Sequence, residues 1–193
     1  MALLVVLALM AVGTTYVAGA SGAATSYSAN LSPGGSALVS SGTSFANGTA
    51  AATFVLPGRP SASSLYLGVE LRSSGANLYR AKARVYPDGT VSVDLSKVQD
   101  GVERYLGSKR VAATVGTGTT RLTVEGHVSG TSPATLQGRV WLTGTTVPAW
   151  QYQVTDSAGL ATGAAKAWAY LSRLATAPIG LQITDVTARA DST

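Results

Sequence analysis

The chain of 193 residues predicts an all-β fold, one antiparallel β-sandwich closed around a single core. Three observations carry that expectation. Residues 77–96, NLYRAKARVYPDGTVSVDLS, read as two strictly alternating strands joined by a Pro-Asp-Gly turn. Roughly ten short segments of this kind follow one another, with turn signals about every 8–12 residues. Only 12% of the residues are charged, while 46% are hydrophobic and 22 are glycine, which suits short strands and tight turns better than a helical bundle.

From the N-terminus, residues 2–12 (ALLVVLALMAV) form an uninterrupted apolar run, followed by small residues that include Ala18-Gly19-Ala20. Its length matches a signal-peptide h-region and Ala18-x-Ala20 a cleavage site, although no Lys or Arg precedes it. The same segment also reads as an assembly or membrane arm, or as a core strand. Residues 1–20 are therefore set apart as signal peptide or arm, and 21–193 as the sandwich. Residues 23–52 are rich in Ser, Ala, Gly and Thr, with Pro33-Gly34-Gly35 and Asn47-Gly48 as turns around short strands near 36–40 and 51–56. Pro57-Gly58-Arg59-Pro60 is a break, and Arg59 is the first charged side chain of the chain.

After that break, residues 64–71 (SLYLGVEL) form a strand leading into the hairpin. There Tyr79, Ala81, Ala83 and Val85 share one face and Arg80, Lys82 and Arg84 the other, since successive strand side chains point oppositely. On the second arm Val91, Val93 and Leu95 point inward and Thr90, Ser92 and Asp94 outward. Asp88-Gly89 supplies the positive φ that such a turn requires. Further strands are expected near 103–106, 109–114, 120–129, 135–142, 150–155 and 179–188. Residues 164–170 fit helical and strand spacing about equally well.

The strings YRAKARVYPDGTVSVDLS and VSGTSPATLQGRVWLTGTTVPAWQ resemble the concanavalin-A-like jelly-roll modules of actinobacterial secreted and cell-surface proteins. Those modules often accompany polycystic-kidney-disease-type repeats, and they also occur in actinobacteriophage minor tail proteins. The resemblance spans about residues 53–188. It rests on Tyr79-Arg80-Ala81-Lys82, Asp88-Gly89, Gly130-Thr131-Ser132-Pro133, Val140-Trp141 and Pro148-Ala149-Trp150-Gln151. It implies a jelly roll. The family's opening Asp- and Trp-containing segment with its WG-type motif is replaced here by the charge-free stretch before Arg59.

The chemistry-bearing residues argue against catalysis. Concanavalin-A-like hydrolases place two carboxylates on one strand, and no Glu-x-Asp-x-Glu pattern occurs. Glu70, Asp94, Asp100, Glu103, Glu125, Asp156 and Asp185 are dispersed and read as solvated edges or turns. His127 is the single histidine and shares a strand face with Glu125, which reads as a polar surface pair. With no Cys and one His, neither a thiolate nor a multi-histidine metal site is possible. No Gly-x-Ser-x-Gly elbow, phosphate loop or EF-hand loop appears. Asp88 and Asp100 could lend oxygens to structural calcium, but no cofactor is expected.

Binding is the remaining class. The net charge of +5 and pI near 9.7 favour anionic partners, although they also serve plain solubility. Arg80, Lys82 and Arg84 form a cationic row spaced about 7 Å apart along the strand. Arg139, if on the same sheet, extends it into a patch for sulfated, uronic or phosphorylated polymers, with Asp94 neutralising part of it. Tyr66, Tyr86, Tyr105, Trp141, Trp150, Tyr152, Trp168 and Tyr170 are the rings able to stack on sugars, and alternation singles out Trp141 as outward-facing.

The expectation is thus a non-catalytic carbohydrate-binding or adhesive module, secreted or at the cell surface. Its ligand would be an anionic or neutral glycan or cell-wall polymer, met by Arg80, Lys82, Arg84, Arg139 and Trp141. Nucleic acid is not expected, and a membrane only if the N-terminal run is retained. The alternative is a virion or extracellular-filament subunit, homo-oligomeric or packed on neighbours through that arm.

Overall fold

The structure is a computed structural model, and it describes residues 14–17 and 26–192. Among them are thirteen strands and no helix. These are β1 Thr14–Val17, β2 Tyr27–Leu31, β3 Ser36–Phe45, β4 Gly48–Leu56, β5 Leu65–Ser74, β6 Asn77–Val85, β7 Thr90–Gln99, β8 Val102–Thr114, β9 Thr120–Ser129, β10 Ala134–Leu142, β11 Tyr152–Asp156, β12 Gly163–Leu171 and β13 Ile179–Ala190. They form a seven-stranded sheet, β1-β3-β12-β5-β6-β7-β8, stacked on a six-stranded sheet, β11-β10-β9-β4-β13-β2. The chain passes back and forth between the layers, giving a jelly-roll sandwich. All pairings are antiparallel except β1 with β3. The expected N-terminal segment lies outside the described residues save for β1.

Period-two burial places the core where the sequence puts it. Tyr79, Ala81, Ala83 and Val85 of β6 and Val91, Val93 and Leu95 of β7 are fully buried, facing Leu122, Val124 and Val128 of β9 and Leu136 and Val140 of β10. The Asp88-Gly89 turn closes as expected, with Gly89 at φ +85° and Asp88 Oδ1 accepting from the Thr90 amide at 2.9 Å. Gly126 and Gly138 are cross-strand partners at the centre of the second sheet. A Cβ on Gly126 would lie 2.6 Å from the Ala81 Cβ, and one on Gly138 2.8 Å from a Val93 methyl. Their bare backbones let the two layers close over β6 and β7.

The described part of the uncharged stretch before Arg59 supplies β1 to β4. β4 lies between β9 and β13, with Ala52, Phe54 and Leu56 in the core and Thr49 and Thr53 buried on its other side. The ambiguous residues 164–170 belong to β12, which lies between β3 and β5. The bond register, not the apolar spacing, settles that choice.

Candidate functional site

Cross-strand register assembles the outer face of the seven-stranded sheet. Tyr170, Tyr66, Arg84 and Ser92 follow one another in one row across β12, β5, β6 and β7. Trp168, Gly68, Lys82 and Asp94 form the next, and Lys166, Glu70, Arg80 and Ser96 the third. From β8, Tyr105 pairs in register with Ser96, so its side chain shares this face. The result is a groove of about 550 Å³ lined by Tyr66, Trp168 and Tyr170, by Lys82, Arg84, Asp94 and Glu103, and by Tyr105 and the Ser172-Arg173-Leu174 segment after β12.

The rings form a continuous apolar surface. Trp168 and Tyr170 stack with centroids 6.0 Å apart and planes 10° from parallel, and Tyr66 stands 6.1 Å from Tyr170. Trp168 is only 6% exposed and forms part of the floor. Tyr105, 59% exposed, and Leu174, 74% exposed, stand at the rim. Burial pushes the Tyr66 phenol up despite the Arg84 guanidinium, so it remains a neutral ring and a hydroxyl donor.

Beside the rings lies a charge network that the sequence did not disclose. Arg80 donates to Glu70 Oε1 at 2.9 Å and to Glu103 Oε2 at 3.1 Å, and its guanidinium carbon lies 4.1 Å from the Trp168 ring centroid. Lys82 donates to Glu103 Oε1 at 2.5 Å, and the Ser96 hydroxyl donates to the same oxygen at 2.6 Å. Burial pushes the Glu103 carboxyl up, but the Lys82 ammonium, the hydrogen bonds from Lys82 and Ser96 and the Arg80 charge outweigh it and hold it below the usual range. Asp94 accepts from the Ser92 hydroxyl at 2.6 Å. Its carboxyl is pushed up by burial, against Ser92, Lys82 and Arg84.

Several expectations are corrected here. Arg80, Lys82 and Arg84 do share the outer face, but Lys82 is 6% exposed and is spent on Glu103, while Arg80 is tied to two carboxylates. Asp94 lies opposite Lys82 in register, yet the ammonium pairs with Glu103. Glu70, Asp94 and Glu125 are buried rather than solvated. Arg139 and Trp141 stand on β10, in the other sheet, so no single patch joins them to the β6 cations. There Arg139 pairs with Glu125 at 2.6 Å, donates to the Pro148 carbonyl at 2.9 Å and lies 4.4 Å from the Trp150 centroid and 5.6 Å from that of Trp141. His127 meets Gln137 at 3.1 Å and Asp191 at 3.0 Å, not Glu125. Among the described residues no group of three or more His, Asp or Glu converges on a metal site.

No family model matches the sequence, and no curated protein does. Among solved structures the chain is similar to the carbohydrate-binding module CBM66 from Bacillus subtilis. Identity is 13% and the TM-score 0.54, covering 87% of this chain and 92% of that one. A β-glucanase of Bacillus licheniformis aligns at 10% identity and TM-score 0.47 over 77% of this chain and 69% of its own. At such identities the first likeness bears on the fold, and the jelly roll is what it shows.

Proposed function

We propose that the chain is a non-catalytic carbohydrate-binding module, holding a glycan in the aromatic groove of the seven-stranded sheet. One observation carries this reading: Tyr66, Tyr170 and Trp168 form a contiguous ring surface whose margin is lined by polar donors and acceptors. Sugars present apolar C–H faces and polar edges at once, and such a surface matches both. The fold shared with a module described as carbohydrate-binding is consistent with it. The carboxylates on this face are each engaged by protein partners: Glu70 by Arg80, Glu103 by Arg80, Lys82 and Ser96, and Asp94 by Ser92.

The reading places the protein outside the cell, secreted or surface-attached, with the N-terminal apolar run as signal or anchor. Mass spectrometry of the native N-terminus checks this, since processing after Ala20 is the expected outcome. Retention of the run would favour the assembly-subunit reading instead. For the groove, affinity electrophoresis against a panel of neutral and acidic polysaccharides is expected to show retardation that Tyr66→Ala and Tyr170→Ala each abolish. Retardation by no glycan, or retardation indifferent to both replacements, would refute the proposed function.

A further inference from the structure

We propose that the groove is specific for acidic sugars, with a uronate carboxylate seated against Arg84 and Arg173. This deepens the proposed glycan-binding role and rests on it. Arg80 and Lys82 are neutralised by Glu70 and Glu103. Arg84 has no such partner among the described residues. Its Nε donates to the Ser64 hydroxyl at 3.0 Å, and no carboxylate lies within ion-pair distance.

The Arg84 guanidinium is nevertheless held in place. Its carbon lies 4.6 Å from the Tyr86 centroid and 5.5 Å from that of Tyr66, and the Ser64 contact fixes the Nε edge. The two terminal nitrogens are thereby left as the donors still to be satisfied in the groove that Arg84 lines. A planar guanidinium offering two parallel N–H groups matches a carboxylate in a bidentate pair, which a compact ammonium does not reproduce.

Arg173 lies at the same end of the groove. Ser64, which accepts from Arg84, also receives the Ser172 amide on its carbonyl at 3.0 Å, and Arg173, next in the chain, lines the same groove. Arg173 is exposed and makes no ion pair among the described residues. The one nearby acid not held by a cation is Asp94, which is buried and hydrogen-bonded to Ser92. The groove therefore holds two guanidinium groups without an ion-pair partner against one such carboxylate, Asp94, which leaves one positive charge in excess next to the Tyr66–Tyr170 surface. Arg84 lies 5.5 Å from the Tyr66 centroid, so a pyranose ring lying on that tyrosine would bring an equatorial carboxylate of the same sugar within its reach.

The test compares polygalacturonate with its fully methyl-esterified form, which keeps the backbone and removes the charge, by titration calorimetry. Alginate and hyaluronan extend the polyuronate set, and dextran sulfate beside plain dextran supplies the sulfate arm. Variants are Arg84→Gln, Arg173→Gln and the double, with circular dichroism confirming that each folds. A polyuronate is expected to bind at least about tenfold tighter than any neutral glycan or the ester, and Arg84→Gln to erase about tenfold of that preference. Equal binding of acid and ester, a preference that survives the double replacement, or tighter binding of dextran sulfate than of every polyuronate would each overturn the inference. Neutral-glycan binding that Tyr66→Ala abolishes, with no polyuronate bound more tightly than the neutral glycans, would overturn it while leaving the glycan-binding role intact. Loss of binding to every glycan tested would remove both.

Discussion

Arg72 offers the sharpest test of how this sandwich is held together. It lies near the end of β5 with a side chain 1% exposed and a backbone φ of +51°, and among the described residues no carboxylate pairs with it. Its guanidinium instead donates to the carbonyls of Ala46 at 2.5 Å, Leu160 at 2.8 Å and Gly130 at 2.5 Å, and to Asn47 Oδ1 at 3.3 Å. Those acceptors come from the β3–β4 turn, the β11–β12 connection and the β9–β10 loop, so one cation ties three loops at one end of the sandwich. Hydrogen bonds to a charged donor contribute roughly 1.5–3 kcal/mol each, offset by the cost of burying the guanidinium, which also lowers its pKa. Removing the donor leaves three carbonyls and an amide oxygen without it, and a net loss of about 3–5 kcal/mol is expected for Arg72→Ala in urea unfolding. Arg72→Gly keeps the same lost contacts but relieves the left-handed backbone, so it should be about 1 kcal/mol more stable than the alanine variant. Arg72→Lys, with one nitrogen in place of three, should fall between alanine and wild type. A loss under about 1 kcal/mol for alanine, or alanine outlasting glycine, would refute the reasoning.

The groove carboxylates predict opposite pH signatures. Glu103 is depressed in the folded chain, so its contribution is complete above the ordinary carboxylate pKa and is lost as pH falls through the folded value; the stability gap between wild type and Glu103→Gln should therefore close on acidification. Asp94 is raised, so its ionisation destabilises the fold as pH rises past the ordinary value, and Asp94→Asn should gain on wild type toward neutral pH and lose that gain in acid, both read from urea midpoints. Gly126→Val should cost about 1–3 kcal/mol by thermal or urea unfolding, because its Cβ would press on Ala81 across the layers. Arg139→Gln should destabilise by about 1–3 kcal/mol by leaving the Glu125 carboxylate without its cation. In affinity electrophoresis that variant and Trp141→Ala should leave groove binding unchanged, since both residues stand on the other sheet.

What could be read from the sequence was whatever depends on period two and local turns. The β6–β7 hairpin is legible because one face is buried, so each apolar residue from Tyr79 to Leu95 reports its own direction. Trp141 likewise points away from Val140, as alternation requires. Sheet membership is a different kind of information. Nothing in β10 says that it pairs with β9 and β11 instead of β7, so Arg139 appeared combinable with Arg80. β12 was ambiguous because its outer face is mostly apolar too: Ala164, Trp168 and Tyr170 alternate with the buried Ala165, Ala167 and Ala169, so residue type shows little alternation although burial largely does. The burial of Lys82 was hidden for a related reason. It depends on Glu103, which reaches it from β8 two strands away, beyond a register shift at Leu95–Ser96.

The acids and bases beside the rings then make sense as a positioning device. Buried ion pairs contribute little net stability against an apolar replacement, so burial as deep as that of Glu70 and Lys82 calls for another explanation. Arg80 supplies it: held by Glu70 on one side and Glu103 on the other, its guanidinium is pinned 4.1 Å from the Trp168 centroid, and Trp168 in turn lies parallel to Tyr170. Each ring is thus fixed by a partner that is itself fixed, and the ring surface reaches a ligand already ordered, sparing the side-chain entropy that binding would otherwise cost. Three of the cations that sequence parity grouped together therefore divide by role. Arg80 and Lys82 hold the floor, and Arg84, set between Tyr66 and Tyr86, keeps its terminal nitrogens for what lies above it.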